Sequence, residues 1–245
     1  MQHAHNSATG SVEITRELTI QKLFYQQAQR YGENRVAMRE KEFGLWRPIT
    51  WQDYFDNVKY LSLGLIHMGL APGDKVAMIG DNRPEGLWAE MATLCAGGVA
   101  VWLFQDCLID EVKYILDHSD TKFLFGEGQE EVDKAISIIN ECPKLKNVIW
   151  DDPKGMRNYH QDYLTSFKTV MDMGRQLEKE QPDLFKKMID RGHGDDVALL
   201  FYTSGTTSLP KGALLSHNNM LTMGQHLMAV DPCYDTDDYV SYLPF

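Results

Sequence analysis

The sequence predicts an α/β protein whose mainly parallel β-sheet is flanked by helices. Between residues 75 and 150, short apolar segments bounded by turns alternate with amphipathic segments of helical length. This alternation is typical of βαβ units, whose crossovers are right-handed. Hydrophobic residues fill 43% of the 245 positions, which is enough to bury a sizeable core.

The amino-terminal part predicts a helix, a hairpin and a second, longer helix. Apolar positions at helical spacing indicate a helix over 17–31, which Gly32 ends. The segments RVAMRE and FGLWRPIT are predicted strands joined by a turn. Thr50 is predicted to cap the longer helix, because Asp53 stands three residues later as in a capping box.

The alternating region follows, with KVAMIG, VAVWLF, TKFLFGE and KNVIW as predicted strands and NRPEGLWAEMATLCA, IDEVKYILDHS and EEVDKAISIINEC as predicted helices. Within it, residues 87–104 imitate a membrane span, because they carry one charge in 18 positions. The pair Gly97 and Gly98 divides this stretch. We therefore expect a buried helix, a break and a short strand in a soluble core.

The last third of the chain departs from this rhythm. Residues 151–195 predict a loop and then polar, superficial helices interrupted near Pro182. The apolar segment DDVALLFYTS predicts a further strand, and HNNMLTMGQHLMAV predicts a helix. The closing segment DDYVSYLPF is predicted to begin a last strand.

Charge and cysteine content limit the classes of partner. Lys plus Arg number 24 and Asp plus Glu number 35, and the net charge of −11 argues against sequence-independent nucleic-acid binding. No pair among the four cysteines has CxxC spacing, so reduced thiols are expected and no residue is assigned to a metal. The start MQHAHNSATGSVE lacks the apolar core of a secretory signal. A cytoplasmic protein is expected, with peripheral membrane contact left open.

The stretch YTSGTTSLPKG, residues 202–212, directly follows a predicted buried strand. In open α/β sheets, ligands bind at the carboxyl ends of strands. Short hydroxyl side chains, two glycines and one lysine suit a phosphate cradle. On composition alone a solvated turn is an equal alternative. The general pattern GxxxxGK[ST] is not matched, because Pro210 precedes Lys211 and Gly212 follows it.

In its full order the stretch resembles the signature of the adenylate-forming superfamily, which includes acyl-CoA synthetases, luciferases and peptide-synthetase adenylation domains. The matching positions are Thr203, Ser204, Gly205, Thr206, Thr207, Pro210, Lys211 and Gly212. The segments ITWQDYFDNVKYLSLGLIHMGLAPGDKVAMIGDNRPE, LSHNN and YLPF resemble further family segments in order and spacing. The polar insert at 151–195 is similar to one in long-chain fatty acyl-CoA synthetases, which favours a long-chain acyl substrate.

The resemblance implies a ligase that forms an acyl-adenylate from ATP, releases pyrophosphate and transfers the acyl group to coenzyme A. Lys211 and Thr206 are then the catalytic residues, because donors aimed at the leaving pyrophosphate stabilise charge that grows in the transition state. The implied ATP-binding residues are Thr203, Ser204, Gly205, Thr206, Thr207, Ser208, Lys211 and Gly212. His217, Asn219 and Tyr242 are placed on the substrate side, with helix capping or plain strand packing as the alternatives. The Mg²⁺ ligand is expected downstream of this sequence.

The resemblance also implies a division of the chain. Residues 1–70 are assigned to a second, mostly missing subdomain, 71–228 to a nested α/β subdomain, and 229–245 to the truncated first strand of the next. The nested part includes the helical insert 151–195 and the phosphate loop 203–212. An N-terminal fragment that is inactive alone is expected, with unpaired edges that favour homo-oligomers or self-association.

Two departures and two alternatives stay open. Ser208 stands where the family has glycine, and we predict a negative φ there, because a left-handed serine would cost about 1–2 kcal/mol. The turn FQDC, residues 104–107, replaces a turn richer in proline and asparagine and has no explanation. The alternatives are a ligase for aryl, amino or medium-chain acids and a truncated module that binds a nucleotide without chemistry.

Overall fold

The structure is a computed structural model that describes residues 13–203 and 209–242. Within them, the helices are α1 Ile20–Tyr31, α2 Trp51–His67, α3 Pro84–Cys95, α4 Ile109–His118, α5 Gln129–Ile138, α6 Phe167–Glu180, α7 Leu184–Arg191 and α8 His217–Val230. The strands are β1 Val36–Glu42, β2 Leu45–Thr50, β3 Lys75–Ile79, β4 Val99–Leu103, β5 Thr121–Gly126, β6 Asn147–Trp150, β7 Leu164–Ser166, β8 Val197–Thr203 and β9 Lys211–Ser216.

The described strands form a seven-stranded sheet and a separate hairpin of β1 and β2. The order in the large sheet is β7-β6-β5-β3-β4-β8-β9, and its neighbours are parallel except for the antiparallel pair β8 and β9. The predicted α/β class with a mainly parallel sheet is confirmed. Because β3 lies between β4 and β5, the chain winds outward from it in two directions. We call the edge where β3, β4, β5, β6 and β8 end the carboxyl edge.

The sheet separates two apolar layers, and β3 shows how its sequence supplies both. Val76 and Met78 belong to the cluster that includes α2, α3 and α6, whereas Ala77 and Ile79 belong to the cluster that includes α4 and α5. Alternate residues of a strand face opposite sides, so a strand buried on both faces is apolar throughout. Full burial of one such large side chain contributes about 1.5–3 kcal/mol.

Two sequence predictions for the first half are confirmed in detail. The N–H of Asp53 donates to the Thr50 hydroxyl at 3.0 Å, and the Thr50 N–H donates to the Asp53 carboxylate at 2.9 Å. This reciprocal pair is the predicted capping box of α2. The apolar stretch 87–104 is divided at Gly97 into α3 and β4. No described helix is both long and apolar enough to cross a bilayer.

The helices of 151–195 have an exposed polar face, as predicted, and also a buried apolar stripe that was not predicted. Along α6 the buried residues recur at helical spacing and form one apolar stripe, made of Phe167, Val170, Met171, Gly174 and Leu177. Helix α7 buries Phe185 and Ile189 in the same layer. The overall composition of the segment is polar, so it gave no sign of this stripe. The charged residues lie only on the opposite face of the helix.

Three strand assignments also differ from the sequence predictions. The short edge strand β7 and the strand β9 were not predicted; β9 pairs with β8 as a hairpin and occupies the other edge of the sheet. The predicted closing strand is not formed by the described residues 237–242, which are exposed and irregular. A strand needs a neighbour for its backbone groups, and no strand pairs with this segment. Leu243, Pro244 and Phe245 lie outside the described residues.

Candidate functional site

The end of the β8–β9 hairpin at which Thr203 pairs with Lys211, which we call its mouth, lies at the carboxyl edge. Thr203 ends β8, Lys211 begins β9, and the two are paired across the antiparallel strands. Both side chains are exposed. The hairpin therefore presents one hydroxyl and one ammonium group side by side where ligands of α/β sheets bind. The other predicted loop residues, namely Ser204, Gly205, Thr206, Thr207 and Ser208 with its φ, lie outside the described residues.

Gly212 has a packing role in the described hairpin. It pairs with Tyr202, and a Cβ atom at this position would stand 2.9 Å from Cδ1 of Leu200 and 3.4 Å from Cζ of Tyr202. A side chain here would have to displace the tyrosine ring or the leucine methyl group. Glycine at this position therefore lets the Tyr202 ring lie against the backbone of β9.

The structure does not bring His217 and Asn219 to this mouth. Ser216 pairs with Val197, so β9 carries the chain to the opposite edge of the sheet. The six residues of β9 put roughly 20 Å between the mouth and the start of α8, at about 3.4 Å per residue. The strand β9 therefore separates His217 and Asn219 from the pair of Thr203 and Lys211, and their assignment to the substrate side stays a prediction.

The contacts of these two residues match the capping alternative. The Asn219 side-chain oxygen accepts hydrogen bonds from the N–H and the hydroxyl of Ser216, each at 3.0 Å. His217 is 3% exposed, its N–H donates to the Asp196 carbonyl, and its Nδ1 has no hydrogen-bond partner among the described residues. Burial lowers the pKa of His217 to about 4. This imidazole is therefore a neutral packing group at the base of α8.

Tyr242 lies in an exposed tail near the carboxyl edge. Its side chain is 74% exposed. The amide of Asn82, just after β3, donates to the Ser241 carbonyl at 3.4 Å. Farther back, Asp235 and Asp238 pair with Arg35 and Arg39 at 3.1 and 2.7 Å, which joins the tail to the first hairpin. The described contacts of Tyr242 neither support nor oppose a role on the substrate side.

A network of charges centred on Arg83, which the sequence reasoning missed, lies at the carboxyl edge. Its guanidinium pairs with Glu127 at 3.1 Å, Asp151 and Glu85 at 3.6 Å, and Glu40 at 3.7 Å. Arg83, Glu127 and Asp151 follow the ends of β3, β5 and β6, so the parallel sheet brings them together. Glu127 and Asp151 come directly after their strands and Arg83 lies in the turn after β3, and this was the signal in the sequence.

The electrostatics of this network indicate a structural role. Burial raises the pKa of both Glu85 and Asp151, and among the described residues Arg83 is the cation that pairs with all four carboxylates. A cavity of about 40 Å³ beside it is lined in part by Gly80, Trp102 and Phe125. That volume suits one or two waters and is far below the several hundred Å³ of a typical ligand pocket.

Among the described residues no group of three or more histidine, cysteine, aspartate or glutamate side chains could hold a metal ion. The four cysteines form no disulfide, and burial raises the pKa of the Cys95 thiol far above its usual range. Its buried thiol is therefore inert packing. The mouth of the β8–β9 hairpin, with its exposed lysine and hydroxyl, has groups suited to an anionic ligand.

Comparison with known proteins places this arrangement in a family. The family described as AMP-binding enzyme matches residues 24–245. The long-chain-fatty-acid–CoA ligase ACSBG2 of Xenopus laevis is 28% identical over 205 residues, covering 83% of this chain and 27% of that protein. The corresponding ACSBG1 of Mus musculus is 27% identical over 236 residues, covering 94% and 32%. The chain thus spans about a third of the length of these relatives.

Solved structures show the same fold. A putative long-chain-fatty-acid CoA ligase from Rhodopseudomonas palustris CGA009 superposes with a TM-score of 0.72 at 18% identity, covering 93% of this chain and 52% of the other. The anthranilate CoA ligase AuaEII, solved with anthranoyl-AMP, gives a TM-score of 0.66 at 18% identity, covering 84% and 36%. The family match extends over most of the sequence, including the hairpin that carries Lys211. The chain therefore belongs to the AMP-binding enzyme family.

Proposed function

We propose that this chain contributes the phosphate-binding part of an ATP-dependent long-chain fatty acid–CoA ligase. The observation that carries the proposal is the pairing of Thr203 with Lys211 at the carboxyl edge, within the sequence YTSGTTSLPKG. Family membership supports the AMP-forming chemistry, and the relatives named long-chain-fatty-acid–CoA ligase support the acyl class. An acid–thiol ligase uses ATP, a carboxylic acid and coenzyme A as its substrates.

In the first step the carboxylate of the acid attacks the α-phosphorus of ATP. The bond from that phosphorus to the bridging oxygen breaks, and pyrophosphate leaves with the bonding electrons. In the second step the thiol of coenzyme A attacks the acyl carbon, gives up its proton, and AMP leaves. Both steps create charge on phosphate oxygens, so fixed donors that meet this charge accelerate them.

The Lys211 ammonium group is proposed to stabilise the negative charge of the leaving pyrophosphate, with the Thr203 hydroxyl as a neighbouring hydrogen-bond donor. A cation about 4 Å from a phosphate oxygen is worth roughly 4 kcal/mol at an effective dielectric of 20. A neutral hydrogen bond contributes about 1 kcal/mol. Thr206, Ser204, Gly205, Thr207 and Ser208 are proposed as further donors from the loop. The described residues include no cluster of three or more histidine, cysteine, aspartate or glutamate side chains that could hold Mg²⁺.

The proposed division of the chain into 1–70, 71–228 and 229–245 stays a prediction. So do the cytoplasmic location, the peripheral membrane contact and the self-association. Helix α2, from the first of these parts, packs closely on α3 and α6 of the second in the described structure. Any boundary at residue 70 therefore crosses an extensive apolar contact.

The experiment is an exchange assay on the protein expressed from its complete gene. Labelled pyrophosphate and ATP are incubated with palmitate, octanoate, benzoate or an amino acid, and label entering ATP is counted. We expect palmitate to support the fastest exchange and coenzyme A to yield the acyl thioester. If benzoate, octanoate or an amino acid supported the fastest exchange, the substrate of the ligase would be an acid of that class and not a long-chain fatty acid. ATP binding without exchange on any acid would favour the non-catalytic module.

A further inference from the structure

A tyrosine of helix α4 reaches the base of the phosphate loop. The hydroxyl of Tyr114 donates a hydrogen bond to the carbonyl oxygen of Pro210 at 3.0 Å. Pro210 directly precedes Lys211, the first residue of β9. Proline has no N–H, so this carbonyl is the one backbone group through which residue 210 can be held by hydrogen bonding. Tyr114 thus contacts the backbone next to the proposed phosphate-binding lysine.

Two further rings fix the orientation of the Tyr114 ring. The His118 ring is stacked on it with centroids 5.3 Å apart, and the Tyr202 ring meets it edge-on at 6.3 Å. His118 Nδ1 and the Tyr202 hydroxyl form a hydrogen bond of 2.7 Å. Aromatic pairs at such distances prefer stacked and edge-on geometries and hold rings in place. The Tyr114 hydroxyl is therefore aimed by its neighbours at Pro210.

Both ends of the loop are joined to this group of rings. Tyr202 is 8% exposed and directly precedes Thr203, the last residue of β8. Its ring lies against Gly212, which follows Lys211. Burial raises the pKa of Tyr202, which keeps its phenol protonated. Pro210 and the residue directly before Thr203 thus both belong to this group of contacts.

We propose that Tyr114 is a positioning residue for Lys211, acting through the Pro210 carbonyl on the direction of the lysine side chain. This inference rests on the proposed function. Lys211 is exposed on an edge strand, and an unheld side chain and loop would lose conformational freedom each time a phosphate bound. Holding the backbone next to the lysine lowers that entropic loss, so the same contacts give tighter binding and faster reaction.

The test is Tyr114→Phe, which removes one hydroxyl and leaves the stacked ring in place. We expect ATP binding and kcat/KM for ATP to fall about fivefold, the equivalent of about 1 kcal/mol. The KM for the fatty acid should stay at the wild-type value. The matched control is Tyr159→Phe, which removes a tyrosine hydroxyl that donates to Asp133 at 2.6 Å on another part of the surface. It should leave ATP binding unchanged.

A double-mutant cycle with Lys211→Ala separates positioning from general stability. If Tyr114 acts through Lys211, its removal should cost almost nothing in ATP binding once the lysine is gone. An undiminished cost in the Lys211→Ala background, or wild-type ATP binding by Tyr114→Phe, overturns the inference while the proposed function stands. Wild-type protein that neither binds ATP nor exchanges pyrophosphate with any acid overturns the proposed function and, with it, the inference.

Discussion

Gly174 of α6 lies against the backbone carbonyl of Tyr60 in α2, so closely that a Cβ atom at 174 would stand 1.8 Å from that oxygen. The contact is reciprocal along the crossing, because a Cβ atom at Gly64 of α2 would stand 2.1 Å from the Val170 carbonyl. Two helices can approach this closely only where both lack side chains. The insert therefore docks onto α2 through a close contact at which each helix contributes a glycine.

Gly174→Ala is expected to destabilise the protein by roughly 3 kcal/mol, since backbone atoms cannot move aside as a side chain could. The control is Gly224→Ala in α8, where a Cβ atom would meet nothing within 4 Å. Helix propensity alone should make that control more stable by up to about 1 kcal/mol. Urea unfolding followed by circular dichroism measures both. Equal midpoints for the two variants would contradict the close packing of α2 on α6.

The pattern of apolar residues predicts the elements that bury an apolar face. It does not predict an element that forms because a neighbouring strand offers it hydrogen bonds. The strands β3 to β6 were predicted from apolar runs between turns, and those runs are buried on both faces. By contrast, β9 has four exposed residues followed by two half-buried ones and is a strand because β8 offers it hydrogen bonds. The stripe of α6 was present in the sequence at 167, 170, 171, 174 and 177, but the high charge of the segment outweighed it.

Removing the cation of the Arg83 network should leave Glu40, Glu85, Glu127 and Asp151 facing one another. Arg83→Met is expected to cost about 2 kcal/mol near neutral pH, allowing for the partial exposure of the network. Burial already raises the pKa of Glu85 and Asp151, and loss of the guanidinium raises it further. A carboxyl group whose pKa is raised in the folded state makes the protein less stable as the pH rises through that pKa. The deficit should therefore be larger at pH 7 than at pH 5.

The matched control for Arg83 is Arg16→Met, because Arg16 forms an ion pair with Asp195 while its side chain is 86% exposed. An exposed pair contributes little, so this variant should unfold at the wild-type midpoint at both pH values. Thermal unfolding at pH 5 and pH 7 compares the two. A deficit of Arg83→Met that is constant between the two pH values would show that lost packing, and not the unpaired carboxylates, causes it.

His217 should make the folded protein sensitive to acid. Burial lowers the pKa of its imidazole from 6.5 to about 4, with the nearby Asp196 acting against the shift and Lys22 adding to it. Between pH 4 and pH 6.5 this imidazole therefore binds a proton in the unfolded chain but stays neutral in the folded chain. Stability is full above pH 6.5 and declines as the pH falls toward 4, by up to about 3 kcal/mol from this one group.

The variant His217→Gln cannot titrate, so its free energy of unfolding should change less between pH 7 and pH 4.5 than that of the wild type. Its stability at pH 7 should be lower, because glutamine fills the buried space less well. The exposed His160→Gln serves as the control and should keep the wild-type pH dependence. Identical slopes for His217→Gln and wild type would show that the imidazole is not buried in the neutral form.

The candidate site could be found from sequence only in part. The signature at 202–212 has a recognisable order of residues, which predicts a phosphate loop from the sequence alone. The position of His217 could not be inferred, since it depends on whether residues 211–216 form a loop exit or a strand across the sheet. The contact from Tyr114 to Pro210 spans 96 positions and needs α4 and β9 to meet, which no local pattern encodes.

Among the proposed phosphate-binding residues, the charged Lys211 should contribute more to the rate of pyrophosphate exchange than the neutral hydroxyl of Thr203. Lys211→Ala is expected to lower the rate of palmitate-dependent pyrophosphate exchange about a thousandfold, the kinetic equivalent of roughly 4 kcal/mol. Thr203→Ala removes a neutral donor at the paired position and should lower the rate only about fivefold. Lys144→Ala, at an exposed surface lysine, should exchange at the wild-type rate. Equal losses for Lys211→Ala and Thr203→Ala would mean that the lysine does not approach the leaving pyrophosphate, because a cation close to that growing charge must outweigh a neutral donor in a water-poor site.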